Sequence, residues 1–339
     1  MLLKTVQLIQ KNFTYTLVMA LGLGLSIPGI FLPFFQTTLI ILGVMMFLSS
    51  LRLSWKDIAG EFKNSPALFR ESIVFMVVVP LVFYYSVLWV YPRYALAVLL
   101  IVATPAAVAT PALVGLYQGK VEKSILLVFS TTLLCPVTIP GLVYVLKGQS
   151  IELDYFGLLI SLCIIVLFPL ILAQLFKTWL PILTNKIEPY SGGISVICLS
   201  LVIVTSFAIQ ADRIIENIQE AFYTTLLAFV LLSILLIVVD LMNRKFSAEE
   251  YTANVLSHTF KNLSLTVSLA ANFFGSDELL LCSISMVPWV CLLPVFRYIQ
   301  NIRTASFGFQ RKNKIRKFRL NRATDIHEKI EELEKIRSE

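Results

Sequence analysis

Lys261 stands in the polar interruption of an apolar segment, Leu256-Ser257-His258-Thr259-Phe260-Lys261-Asn262-Leu263-Ser264-Leu265-Thr266. An ionisable side chain at membrane depth is expensive and marks a functional position by default. Around it stand an imidazole (His258), a carboxamide (Asn262) and hydroxyls (Ser257, Thr259, Ser264). This is chemistry for binding: an ammonium and an amide offer donors to a carboxylate, and hydroxyls serve as donor or acceptor. It is poor chemistry for catalysis. The chain has two histidines, His258 and His327, with no membrane carboxylate pair, no Ser/His/Asp set and no Gly-rich phosphate loop, so no enzyme and no cofactor are expected.

A second interrupted run lies in the first half, Ile101-Val102-Ala103-Thr104-Pro105-Ala106-Ala107-Val108-Ala109-Thr110-Pro111-Ala112-Leu113. Two prolines six residues apart disrupt one helical ladder twice. A helix broken inside a bilayer leaves backbone groups without partners, at several kcal/mol each in order of magnitude. Such breaks persist where they line a cavity or are buried in protein, and a pair in corresponding positions of two halves points to a transporter's binding site. The candidate substrate-binding residues are therefore Thr104, Ala109, Thr110, Pro111, Thr259, Asn262, Leu263 and Ser264. The half-helix starting near Pro111 would also offer amides and a positive dipole end to an anion. Each hydroxyl alone has a plainer reading as a back-bond to its own helix. Ser130, Thr131, Thr132 and Thr138 form either an inward polar stripe or ordinary packing.

The elements that must position these groups are spanning helices. The chain is 57% hydrophobic and 14% charged, with mean hydropathy +0.81, whereas soluble domains carry about 25% charged residues. Ten apolar segments, near 12–33, 36–52, 69–91, 94–117, 121–146, 153–176, 191–210, 219–242, 248–273 and 277–300, are each long enough for a core of about 30 Å. The opening MLLKTVQLIQK is too short and too charged for a signal h-region. Five cysteines scattered in apolar runs read as packing residues. Gly22, Gly24 and Pro28 mark a kink or a close helix contact in the first span.

Lysines and arginines in the short loops set orientation. Twelve (4, 11, 52, 56, 63, 70, 120, 123, 177, 186, 244, 245) fall on one side against three (93, 147, 213) on the other. This predicts a multi-pass protein of the cell (inner) membrane with both termini in the cytoplasm. The tail 301–339 is expected there too: a basic stretch at 311–322, fit for anionic headgroups or simply solvated, then a short charged helix at 325–339. Five spans precede the middle of the chain and five follow, each set ending in a broken span and then a long proline-bearing one. An odd number per half inverts the second half relative to the first, with substrate held where they meet.

The stretches 104–140, 260–270 (FKNLSLTVSLA) and 45–58 (MMFLSSLRLSWKDI) resemble the bile acid:sodium symporter superfamily. The resemblance, over roughly residues 10–300, implies an all-α polytopic fold of ten transmembrane helices in two inverted five-helix repeats. In it, broken helices 4 and 9 cross within a core domain of helices 3–5 and 8–10, facing a panel domain of helices 1, 2, 6 and 7. It divides the chain into a transporter domain, 1–300, and the tail, 301–339. It also exposes departures. Where the family's sodium sites use a Glu and an amide in helix 9, this chain has Ser257 and Lys261. The family's Ser-Asn of helix 4 is Thr110-Pro111, a helix-3 amide is Phe75, and Ser124 alone of the hydroxyl ligands is kept. The acidic residues fall in loops, the tail or helix ends, with Asp240 deepest.

The expectation is a secondary carrier of an organic anion working by alternating access, not sodium-coupled in the usual way. Ion coupling or charge substitution falls to Lys261, His258, Ser257 and Ser124. The Lys261 ammonium either replaces the cation or gains and loses a proton through the cycle, with His258 sharing that proton or simply packing. Partners are then a small organic anion, the bilayer and protons as the candidate coupling ion, with no nucleic acid. Moving one negative charge inward against ~150 mV costs ~3.5 kcal/mol, so uptake would need protons or exchange while efflux runs electrically downhill. Two alternatives stay open: an arsenite-type or other small-anion exporter of the same superfamily, and a non-transporting membrane sensor or scaffold acting through the tail.

Overall fold

Prolines and isolated polar residues decide where the helices begin and end. The computed structural model describes residues 12–51, 66–147 and 154–303. Lys4, Lys11, Arg52, Lys56, Lys63 and the tail from 304 onward therefore lie outside the described residues. Among the described residues the regular structure is helical: α1 (Phe13–Ser26), α2 (Pro28–Leu48), α3 (Ala67–Val90), α4 (Ala95–Ala103), α5 (Thr110–Leu116) and α6 (Val121–Lys147) in the first half. In the second are α7 (Tyr155–Trp179), α8 (Pro181–Glu216), α9 (Ile218–Asn243), α10 (Ala248–Thr259), α11 (Leu263–Phe273) and α12 (Ser276–Arg303). Among the described residues, seven helices are long and apolar enough to cross a membrane: α2, α3, α6, α7, α8, α9 and α12. This is a multi-pass helical membrane protein. The chain divides into two units, one ending at Leu292 and one beginning at Leu293, and the candidate site lies wholly in the first.

The first boundary differs from the hydropathy reading. The first helix ends at Ser26 rather than near 33, because Ile27 leaves helical geometry (φ −136°, ψ 56°) and Pro28 opens the next helix from its N-terminal turn. Pro80 and Pro169 each follow a five-residue π turn, Val74–Val78 and Cys163–Leu167. A wider turn absorbs the missing N–H and the ring's clash with the preceding carbonyls. The glycines of α1 divide in role: a Cβ on Gly24 would meet the Val204 carbonyl of α8 at 2.5 Å, whereas one on Gly22 would meet nothing within 4 Å.

The broken spans are the innermost elements. Each residue of α4 is buried, as are Tyr251–Thr259 of α10 and Leu263–Ala270 of α11. An apolar cluster joins α4 (Leu96, Leu99, Leu100) to α6 (Ile139, Val143), α7 (Leu162, Val166) and α11 (Leu265, Leu269). Large apolar side chains such as Trp89, Val145, Phe222 and Ile234 are exposed on the outer helices, where a bilayer would cover them. At the helix ends away from the α5–α6 turn, four charged residues interlock. Arg93, just before α4, holds Asp277 at the start of α12 through two bonds of 2.7 and 2.8 Å. Arg213 at the end of α8 reaches Asp277 at 2.6 Å and Glu220 at the start of α9 at 2.8 Å.

Candidate functional site

The two breaks satisfy each other. Between α4 and α5 the backbone leaves the helix at Thr104 (φ −66°, ψ 151°). Between α10 and α11 it does so at Phe260 and Asn262. The two extended pieces then pair as an antiparallel bridge, Ala106 opposite Lys261. Ala107 N donates to Phe260 O at 2.8 Å, and Asn262 N donates to Pro105 O at 2.9 Å. Two side chains complete the job: the Ala106 amide donates to Thr131 Oγ1 at 3.2 Å, and the Trp289 indole donates to Lys261 O at 3.1 Å. Thr266 Oγ1 donates to Thr104 Oγ1 at 3.0 Å, a further tie across the crossing. Backbone that would be ruinous in lipid is thus paired inside protein.

Three side-chain groups at the crossing have no partner among the described residues, the Thr259 hydroxyl and two nitrogen donors. Asn262 caps α11, its Oδ1 accepting from Leu265 N at 3.2 Å and from Ser264 Oγ at 2.7 Å, which leaves its Nδ2 unpaired. Lys261 is 1% exposed and its Nζ is likewise unpaired. Both residues line a small cavity of about 40 Å³ together with Ala109, Leu263 and Ser264. A larger cavity of about 370 Å³ shares Met45, Val108, Ala109 and Leu199 with it and extends between α2, α5, α6, α7 and α8. Its wall is apolar apart from Ser50, Thr132, Ser191 and Ser195, and Thr132 Oγ1 is a further buried group without a partner.

The twelve residues singled out from the sequence fall into three places. Ala109, Pro111, Lys261, Asn262, Leu263 and Ser264 line the cavities. Thr104 and Thr110 bond back to Ile101 O and Ala107 O, and Thr259 is buried with its hydroxyl unpaired. Ser124 and Ser257 form a third group, 3.0 Å apart, beside His258. The first amides of α5 are already used, Thr110 N donating to Ala107 O and Leu113 N to Ala109 O, so that end offers less to an anion than the proline pattern suggested. Of the polar stripe on α6, Thr131 serves the break, Ser130 bonds Ser72 at 2.6 Å, Thr132 faces the large cavity and Thr138 bonds back to Leu134 O.

His258 is fully buried but not merely packed. Its Nε2 lies 3.0 Å from Glu71 Oε1, and Phe75 stacks on the ring with centroids 3.7 Å apart. Lys123 Nζ stands 3.7 Å from the other Glu71 oxygen. Glu71 is at a helix end, as its sequence position implies, yet its carboxylate turns inward with the side chain 17% exposed. Sequence reasoning missed Glu71 and Lys123; the available signal was Glu71 four residues before Phe75, on the same helix face. Trp289 carried no such signal, because its partner is a backbone group distant in sequence, and Thr131 stood in the polar stripe of α6 without its partner being legible.

Breaks that pair across the middle of a multi-pass helical bundle, beside a cavity shared by several spans, define a membrane protein of transporter architecture. The chain matches the model of the Sodium Bile acid symporter family over residues 39–217, just over half its length, and belongs to that family. It is 24% identical over 207 residues to the uncharacterized protein YbaS of Bacillus subtilis (strain 168), a match covering 60% of this chain and 67% of that protein. It is 29% identical over 177 residues to the probable chloroplastic sodium/metabolite cotransporter BASS3 of Oryza sativa subsp. japonica, covering 51% of this chain and 41% of the relative. The probable chloroplastic cotransporter BASS1 of Arabidopsis thaliana is 26% identical over 168 residues, covering 48% and 42% respectively. The chain thus spans less than half the length of the two plant relatives. The matched family region ends before the second break, at 260–262.

Proposed function

We propose that this protein is a secondary carrier that moves an organic carboxylate by alternating access and is not driven by sodium. One observation carries the reading: Lys261 Nζ and Asn262 Nδ2, buried donors without partners among the described residues, line a cavity at the crossing of the two breaks. An ammonium buried without a counter-charge costs several kcal/mol, and an anion supplied by a ligand removes that penalty. The carboxylate would sit on Lys261 and Asn262, its body in the apolar cavity of about 370 Å³.

The two plant relatives are named for sodium and metabolite cotransport, and here the chain departs from them. Ser257 and Ser124 bond each other, Phe75 covers His258, and Lys261 places an ammonium where a hard cation would need oxygen ligands. The fixed charge substitutes for the ion, and His258 with Glu71 offers a candidate route for a proton. In this reading ten spans form two inverted sets of five, with a panel of spans 1, 2, 6 and 7 against a core of spans 3–5 and 8–10. Both termini face the cytoplasm, and the chain divides into a transporter domain, 1–300, and a tail, 301–339.

The test is flux of labelled organic acids into proteoliposomes under separate sodium, potassium and pH gradients, with Lys261→Gln alongside. Sodium-independent flux that collapses in the variant is the expected result. Flux that requires sodium would refute the substitution of ion by lysine, and no flux under any gradient would refute the carrier.

A further inference from the structure

The large cavity and the charged cluster meet α8 at different levels. The cavity is lined by Ser191, Ser195 and Leu199 around the middle of that helix, while Arg213 is in its last turn. Fourteen residues from Leu199 to Arg213, at 1.5 Å each, separate them by about 21 Å along the axis. The cavity borders Leu116 and Val121, which flank the lysine-bearing turn at 117–120. At the far end Arg213 holds Asp277 at 2.6 Å and Glu220 at 2.8 Å, and Arg93 holds the same two carboxylates at 2.7 and 2.8 Å.

These four bonds differ in what they join. Arg93, Glu220 and Asp277 belong to spans assigned above to the core, so their pairs tie the core to itself. Arg213 belongs to a panel span, and both of its bonds cross from panel to core; the one to Glu220 joins the two ends of a single turn, so the one to Asp277 is the bond that ties elements distant in the chain. Arg213 and Glu220 also flank Asn217, where the chain leaves helical geometry between α8 and α9 (φ −125°, ψ 63°). The cluster carries two positive and two negative charges, with side chains between 15% and 45% exposed, so it is balanced, partly desolvated and open to separation by water.

We propose that Arg213 and Asp277 form a latch that closes the face of the carrier opposite the open cavity. It must release for the cavity to open outward. The inference rests on the panel-and-core reading of the proposed function. Charge-assisted bonds suit a latch because each partner can be rehydrated when they part, whereas an apolar seal would expose its surface to water.

The experiment uses the full chain in proteoliposomes, with its five native cysteines replaced and Leu199→Cys as the reporter of cavity access. A membrane-impermeant maleimide is applied separately from each face. Reaction from the cavity face alone is expected in the parent. Arg213→Gln and Asp277→Asn should each raise the reaction rate from the opposite face about tenfold or more, the shift that loss of one charge-assisted bond supports. Arg213→Lys should stay near the parent, and so should Arg93→Gln, which leaves the panel-to-core bond in place. An unchanged rate at the cavity face shows that each variant is folded. An opposite-face rate unmoved by both Arg213→Gln and Asp277→Asn would overturn the latch, as would an equal rise in Arg93→Gln. If labelled acids still move through the unaltered protein in that case, the latch alone has failed and the carrier stands.

Discussion

Replacing Lys261 by Met should move stability and ligand affinity in opposite directions. The backbone at this residue is held independently of its side chain: its amide donates to Thr259 O at 3.1 Å and its carbonyl accepts from the Trp289 indole at 3.1 Å. Methionine keeps most of the length and the apolar stem while deleting an ammonium that has no partner among the described residues. Relieving an unsatisfied buried group is worth about 1–3 kcal/mol, more for a charge, so the empty protein should become more stable by at least that order. A carboxylate 4 Å from the ammonium gains about 4 kcal/mol at an effective dielectric of 20, partly offset by desolvation. A net charge-assisted bond of about 1.5–3 kcal/mol remains, so the variant should bind the transported acid about ten- to a hundredfold more weakly. Unfolding in detergent, with and without that acid, measures both effects, because ligand stabilisation follows RT ln(1 + [L]/Kd). The expected signature is a higher midpoint without ligand and a smaller shift with it. A lower midpoint without ligand would mean that the lysine braces the break, and an undiminished ligand shift would remove it from the site; either refutes the reasoning.

Two further substitutions test the scaffold. Gly24→Ala forces a Cβ toward the Val204 carbonyl at 2.5 Å and should destabilise by about 1–3 kcal/mol, while Gly22→Ala, with open space around it, should be neutral in the same unfolding assay. Thr131→Val deletes the acceptor of the Ala106 amide and should cost about 1–3 kcal/mol; hydrogen exchange at the Ala106 amide should quicken, and unchanged protection there would show that the bond is not needed.

Much of this was legible in one dimension. Mean hydropathy marked a multi-pass protein, and Pro105, Pro111, Lys261 and Asn262 marked two broken spans, because hydrophobic length and helix-breaking chemistry are local properties of the chain. Local signals also located Asn262 as a residue of the second break, and the structure makes it the cap of α11. They were weaker at edges: Ile27, with Pro28 after it, ends the first helix inside an apolar run that hydropathy alone carries onward.

What the tertiary structure decided was who meets whom. Ala106 and Lys261 are 155 residues apart, and no local pattern says that their extended backbones pair. That pairing takes up the Ala107 and Asn262 amides, and among the described residues the side-chain groups Lys261 Nζ, Asn262 Nδ2 and Thr259 Oγ1 are left unpaired at the crossing. The same holds for Glu71 and His258, separated by 187 positions, and for Arg213 and Asp277. A charge's residue type is written in the sequence, but its partner, and so its energy, depends on distances that only the packed helices set.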